Sequence, residues 1–182
     1  MKGLIKLGLL CMAFIFASGC AKIPKPIGPD DTLLVGKIEL KVRGYHDSAV
    51  TINGKHNSSI EITFRNMETR KTFKVWSKQQ GVFYATQLEP GVYIIDAIGF
   101  KERDSIGSWT ALTWERPVGL VQIIVEKGAV ANLGSLLWLA DKTEGEYGVF
   151  QTQPPEEFYQ ALSEKFPDSK WMERPWNHVF LH

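Results

Sequence analysis

Few side chains in this 182-residue sequence are of a type that does chemistry. There are two cysteines, Cys11 and Cys20, and four histidines, His46, His56, His178 and His182. A cysteine thiolate is the nucleophile in alkylation and a good metal ligand. Cys20 follows Ala17-Ser18-Gly19, small residues that let an enzyme approach the backbone. The histidines contain no His-Glu-x-x-His motif. His178 and His182 stand four apart, a spacing that holds a metal on a helix, but Pro175 disfavours a helix there. His46, Asp47 and His56 could meet across a turn, yet they sit among turn residues and read as exposed loop side chains. Glu156-Glu157 suits a helix N-terminus and Asp30-Asp31 a loop, so neither pair requires an acid–base role. No Gly-x-Ser-x-Gly elbow and no phosphate-binding glycine loop occurs. The expectation is a non-enzyme with no catalytic residues, no metal and no cofactor.

One internal segment has a different kind of chemistry. Trp109 and Trp114 stand five residues apart, near Arg103 and Arg116. Trp109, Trp114 and Arg116 could form an exposed anchor for a protein, glycan or lipid surface, since Trp and Arg dominate binding hot spots. Large aromatics also bury most of their area, so the same two tryptophans could instead cap a core.

The segment around Cys20 has the layout of an export signal. Lys2 and Lys6 are positive, Leu7 to Phe16 is apolar and uncharged, and small residues follow. The apolar run is half the roughly 20 residues needed to span a bilayer as a helix. Ala17-Ser18-Gly19-Cys20 resembles the bacterial lipobox, with Ala17 at the position where Leu is usual. That resemblance implies addition of diacylglycerol to the Cys20 sulfur and cleavage just before it, so residues 1–19 are a lipoprotein signal peptide. It also implies a membrane partner reached through the lipid. Two acyl chains give stable anchoring. Ala21 is not the Asp that retains such proteins in the inner membrane, which implies the outer membrane of the cell envelope in a Gram-negative host. Cys11 leaves with the signal, so the mature chain has one cysteine and no internal disulfide. Residues 20–32 contain Pro24, Pro26 and Pro29 and read as an extended, Pro-rich tether.

Removing the signal takes away Lys2 and Lys6, leaving 19 basic against 20 acidic residues and a net charge of −1. With no basic excess, nucleic-acid binding by counterion release is excluded as an expectation. About 150 residues remain beyond the tether, enough for one domain with a proper core.

The elements that must position these residues are strands. Leu34, Ile38, Leu40 and Val42 share one parity, with Lys37, Glu39 and Lys41 on the other, as in a half-buried strand. Val50-Thr51-Ile52 leads into Asn53-Gly54, a tight-turn signal. Ile60–Arg65 and Phe73–Trp76 alternate in the same way. Val82–Leu88 and Val92–Ile98 flank Glu89-Pro90-Gly91, which suits a type II turn and predicts a hairpin. The pattern breaks down between residues 101 and 116. It resumes in the apolar run Leu120–Val125 and again from Val130 to Leu139, with Gly134 as an expected bulge. These strands, with no interposed helices, predict a mainly β domain, an antiparallel β-sandwich over 33–152. Pro154-Pro155-Glu156-Glu157 starts a short C-terminal helix with its stripe at Phe158, Leu162 and Phe166, and 153–182 packs on the sandwich with Trp171 and Trp176 pinning the tail.

The run Phe83–Tyr93 resembles the aromatic…Leu-x-Pro-Gly-x-Tyr hairpin of prealbumin-like and carboxypeptidase-regulatory-like sandwiches. The resemblance implies a prealbumin-like fold used as a scaffold or binding module. The expected function is a lipid-anchored, non-enzymatic envelope lipoprotein that binds or scaffolds another component, such as an envelope protein. The alternatives are an envelope hydrolase acting on peptidoglycan and a purely structural surface lipoprotein.

Overall fold

A computed structural model describes residues 23–45, 48–52, 58–103, 109–114, 122–141 and 146–181. Cys20, His46, Asp47, His56, Arg116 and His182 lie outside the described residues. The described chain is mainly β, with two sheets and one α-helix. Its strands are β1 (Leu33–Tyr45), β2 (Ser48–Ile52), β3 (Ser58–Asn66), β4 (Thr72–Trp76), β5 (Val82–Thr86) and β6 (Gly91–Arg103). They continue with β7 (Trp109–Trp114), β8 (Ile123–Val125), β9 (Val130–Asp141), β10 (Glu146–Gln153) and β11 (Trp176–His178); α1 is Pro155–Lys165.

The first sheet runs β10-β9-β1-β2, with β5 also on β1 and β11 also on β9. The second runs β4-β3-β6-β7, with β8 also on β6. The second sheet is antiparallel throughout. The expectation of an antiparallel architecture fails in the first. There β1 and β9 are parallel from Leu33↔Val130 to Arg43↔Asp141, and β11 is parallel to β9. Parallel strands are stable where both faces are covered, and these two central strands are covered on both sides over their first residues. The even residues Leu34, Ile38 and Leu40 point into the core between the sheets, where they meet Ile60, Ile62, Phe64 and Ile98. The odd residues Leu33 and Val35 point outward and are buried with Val130 beneath Phe158 and Leu162 of α1 and beneath Trp171. Farther along the same outer face come the half-buried Lys37, Glu39 and Lys41.

The expected hairpin at residues 82–98 is also corrected. β5 pairs with β1 in one sheet and β6 with β3 in the other, so Gln87–Pro90 is an arch between sheets. The arch is tied at both ends. The Thr32 hydroxyl donates to the Leu88 carbonyl (2.9 Å), and the Tyr93 hydroxyl donates to the Glu89 carbonyl (2.7 Å). A tyrosine hydroxyl returned to the backbone a few residues upstream is a known corner device of β-sandwiches. Tyr93 is then fixed edge-on against Phe73, which stacks on Phe64 at 5.2 Å.

Gly134 forms the expected bulge. Leu133 and Gly134 together stand opposite Gly36, and the register shifts there. Gly134 has φ +67, and the Asn132 carboxamide oxygen accepts its N–H at 2.9 Å. The bulge lets β10 leave the sheet and lead directly into α1, which packs against β9. The helix is bounded as the sequence predicts, with Pro155 in its first turn, Glu156 and Glu157 near the positive end, and Lys165 in the last turn. Trp138 is fully buried between the sheets, and its indole N–H has no acceptor among the described residues.

Candidate functional site

The most elaborated surface of the described molecule lies where its first residues meet its last. Residues 23–27 carry no regular structure, as Pro24 and Pro26 favour by fixing φ and removing donors, and residues 28–30 bend into a turn. The segment is also fastened along its length. The Trp171 indole N–H donates to the Pro24 carbonyl at 2.6 Å. The Arg174 guanidinium donates to the Pro29 carbonyl and, at 2.9 Å, to the Gly28 carbonyl. Lys127 pairs with Asp30 at 3.0 Å, and the Gly128 N–H donates to the Asp30 carbonyl at 3.2 Å. Carbonyls suit this role because a proline-rich strap offers acceptors but few donors.

Asp31 closes the strap on itself. Its carboxylate accepts the Ile27 and Gly28 N–H groups, at 2.5 and 3.0 Å. The Gly28 N–H first, then the Ile27 N–H and the nearby Arg174 charge, hold the Asp31 carboxyl below its ordinary value. At neutral pH it is therefore the charged, double-accepting form that shapes the turn.

Between the strap and the end of α1 lies a cavity of about 300 Å³, lined by Ile23, Lys25, Lys165, Phe166, Pro167, Asp168, Ser169 and Met172. Its lining is mostly apolar, and among the described residues two lysines and one aspartate are its ionisable groups. Ile23, Phe166 and Met172 also pack against the buried cluster around Trp171 and Phe158. Lys165 lies over the Phe166 ring at 5.7 Å. Nearby on the strap, Ile27 is 84% exposed. This arrangement can hold a molecule that is apolar in one part and anionic in another; it offers no nucleophile paired with a base.

Other sequence-predicted residues fall elsewhere. Strand β7 sets Trp109 opposite Arg103 and Trp114 opposite Ile98, at the end of the second sheet. His178 stands on β11, edge-on to Tyr159 at 6.3 Å, with Nδ1 3.4 Å from the Asn132 amide nitrogen. Trp176 meets the same tyrosine at 4.8 Å and donates to the Trp171 carbonyl. Trp171 and Trp176 thus pin the tail as expected. Among the described residues, no group of three or more His, Cys, Asp or Glu side chains is placed to hold a metal ion. No helix among them is long and apolar enough to cross a membrane.

No family model matches this chain. No curated protein matches it either. Among solved structures it is similar to a leucine-rich repeat protein from Bacteroides thetaiotaomicron VPI-5482, at 14% identity over 77% of this chain and 16% of that one, with a TM-score of 0.34. The chain spans about one-sixth of that protein's length, and a likeness at this level carries no argument about fold or function.

The residues that fasten the strap are the part sequence reasoning missed. Asp31, Lys127, Trp171 and Arg174 are ordinary polar or aromatic side chains in sequence, and Trp171 and Arg174 act on carbonyls about 145 residues away. The available signal was composition: a proline-rich segment with few N–H donors, and a tail carrying Trp171, Trp176 and Arg174 as donors.

Proposed function

We propose that this protein is a lipid-anchored, non-enzymatic lipoprotein of the cell envelope that binds or scaffolds another envelope component. In this reading residues 1–19 are the export signal, and Cys20 carries diacylglycerol as the first residue of the mature chain. The observation that carries the reading is the order of features before Cys20: Lys2 and Lys6, the apolar run from Leu7 to Phe16, then Ala17-Ser18-Gly19. A strap that runs from Ile23 into the folded domain is consistent with an anchor placed three residues earlier. Ala21 favours the outer membrane. Trp109, Trp114 and Arg116 remain the proposed contact for a protein partner.

For the finer architecture we propose a β-sandwich of prealbumin-like type, modified by the parallel pairing of β1 with β9. Support comes from the core pooled from both sheets and from the Tyr93 hydroxyl that ties the arch between them.

The anchor is tested by Cys20→Ser. The substituted protein is expected in the soluble envelope fraction, with the unsubstituted protein in the detergent-extracted membrane fraction. Cys20→Ser protein that has lost residues 1–19 and still stays on membranes after an alkaline carbonate wash would refute the reading.

A further inference from the structure

We infer that the face holding the cavity between the strap and the end of α1 is the surface this protein sets against the phospholipid bilayer. The cavity takes the glycerol and upper acyl region of a membrane phospholipid. The inference rests on lipidation of Cys20.

Chain reach carries the argument. Three peptide steps separate Cys20 from Ile23, a span of at most about 11 Å when fully extended. Each headgroup layer is roughly 5–8 Å thick, so a sulfur held at the glycerol level puts Ile23 at the outer margin of that layer. There is little slack beyond it. From Pro24 onward the strap is held by Trp171, Asp31, Arg174 and Lys127, so the domain cannot swing away on a free tether. Ile23 itself lines the cavity.

The chemistry of the face agrees with its position. Ile23, Phe166, Pro167 and Met172 offer an apolar concavity, while Lys25 and Lys165 stand at it with stems that can lie along apolar surface and ammonium groups that reach phosphate. Asp168 also lines the cavity, so the two lysines leave one net positive charge beside the apolar surface, which suits the interfacial layer of an anionic bilayer.

The test uses single labels. Thioether-linked Cys20 does not react with thiol reagents, and Cys11 leaves with the signal, so an introduced cysteine is the one free thiol. Nitroxide is attached at Lys165→Cys or Met172→Cys beside the cavity, and at Lys41→Cys as the control. Lys41 lies on the same outer face of the first sheet, eight residues along β1 from Leu33 and about 26 Å distant. The full lipidated protein is placed in vesicles of phosphatidylethanolamine and phosphatidylglycerol and compared with a soluble form expressed without residues 1–20, which lacks both native cysteines. The expected result is a several-fold loss of collision with an aqueous nickel chelate and a gain with oxygen at 165 and 172, with no change at 41. Equal chelate access at all three positions would overturn the inference, as would dipolar broadening between labels at 172, which would make a second copy the occupant. Lys165 is exposed, so its substitution keeps the test valid if Met172→Cys folds poorly. Mass spectrometry of the same samples separates the two failures. An acylated N-terminus with free chelate access refutes only the membrane-facing orientation, and an unacylated one refutes the anchor itself.

Discussion

Gly134→Ala is expected to be among the most damaging single-methyl additions in the domain. Gly134 sits at φ +67, where a residue with a Cβ is strained by about 1–2 kcal/mol. That Cβ would also lie 2.5 Å from the Gln153 carbonyl oxygen, 3.1 Å from the Pro155 nitrogen and 3.2 Å from the Pro154 carbonyl carbon. All three are backbone atoms where β10 turns into α1, so no side chain can swing aside. Overpacking of this kind costs about 1–3 kcal/mol, giving a total of about 2–5 kcal/mol. For a domain of this size that lowers Tm by roughly 4–20 °C. Gly148→Ala is the control. It lies in β10 without a positive φ, and its new methyl would meet only the ring of Phe150, which is 53% exposed and free to move. Its cost should stay within about 1 kcal/mol. Urea unfolding of a soluble form expressed without residues 1–20, followed by tryptophan fluorescence, to which the buried Trp138 and Trp171 contribute, measures both. If Gly134→Ala were as mild as Gly148→Ala at an unchanged m-value, the assignment of the bulge as a backbone-limited pivot would be wrong.

Three further outcomes follow from the packing and the strap. Trp171→Phe keeps most of the ring packing and loses the bond to the Pro24 carbonyl, so it should cost about 1 kcal/mol, whereas Trp171→Ala should cost about 3–5 kcal/mol; both should speed hydrogen exchange at Ile27 and Gly28. Because the Asp31 carboxyl is held below its ordinary value in the folded protein, its contribution is fully present above that ordinary value and is lost as pH falls through the lowered one. Exchange of the Ile27 and Gly28 amides should therefore rise above the intrinsic pH trend only as pH falls below the ordinary carboxylate range, and Asp31→Asn should abolish that step. Trp138→Phe removes an indole N–H buried without an acceptor, so denaturant unfolding should show a loss below about 1.5 kcal/mol, against about 3–5 kcal/mol for Trp138→Ala.

Much of the strand content was legible because alternation reports which face is buried. In β1 the even residues Leu34, Ile38 and Leu40 predicted the inner face correctly. The consecutive Leu33-Leu34-Val35 also carried a second signal, since an apolar run of both parities marks a strand covered on both sides, here by α1. The parallel pairing of β1 with β9 was not legible. It depends on where the chain re-enters the first sheet after crossing the second, and no local pattern encodes that. The arch at Glu89-Pro90-Gly91 was misread for a related reason. Turn chemistry reports that the chain reverses, but not whether the flanking strands pair with each other or part into two sheets. β10 was missed because Gly148, Gln151 and Gln153 interrupt the alternation. The two glutamines are used in bonding, Gln151 to the Leu133 and Val179 carbonyls and Gln153 to the Ser135 hydroxyl.

At the candidate site, the sequence offered the extended strap and the tryptophan-rich tail separately. Their union depends on donors meeting acceptors at opposite ends of the chain, as Trp171 meets Pro24. Helix α1 and its stripe were legible because the cap and the spacing are local, and Phe158 and Leu162 are buried as predicted. Phe166, the third residue of that stripe, is only partly buried and lines the cavity.

Intact-mass and N-terminal peptide spectrometry of protein extracted from native membranes tests the anchor most directly. The account predicts a mature chain beginning at Cys20, its sulfur carrying a diacylglyceryl group. A mature chain beginning at any other residue, or Cys20 recovered as a free thiol, would contradict it.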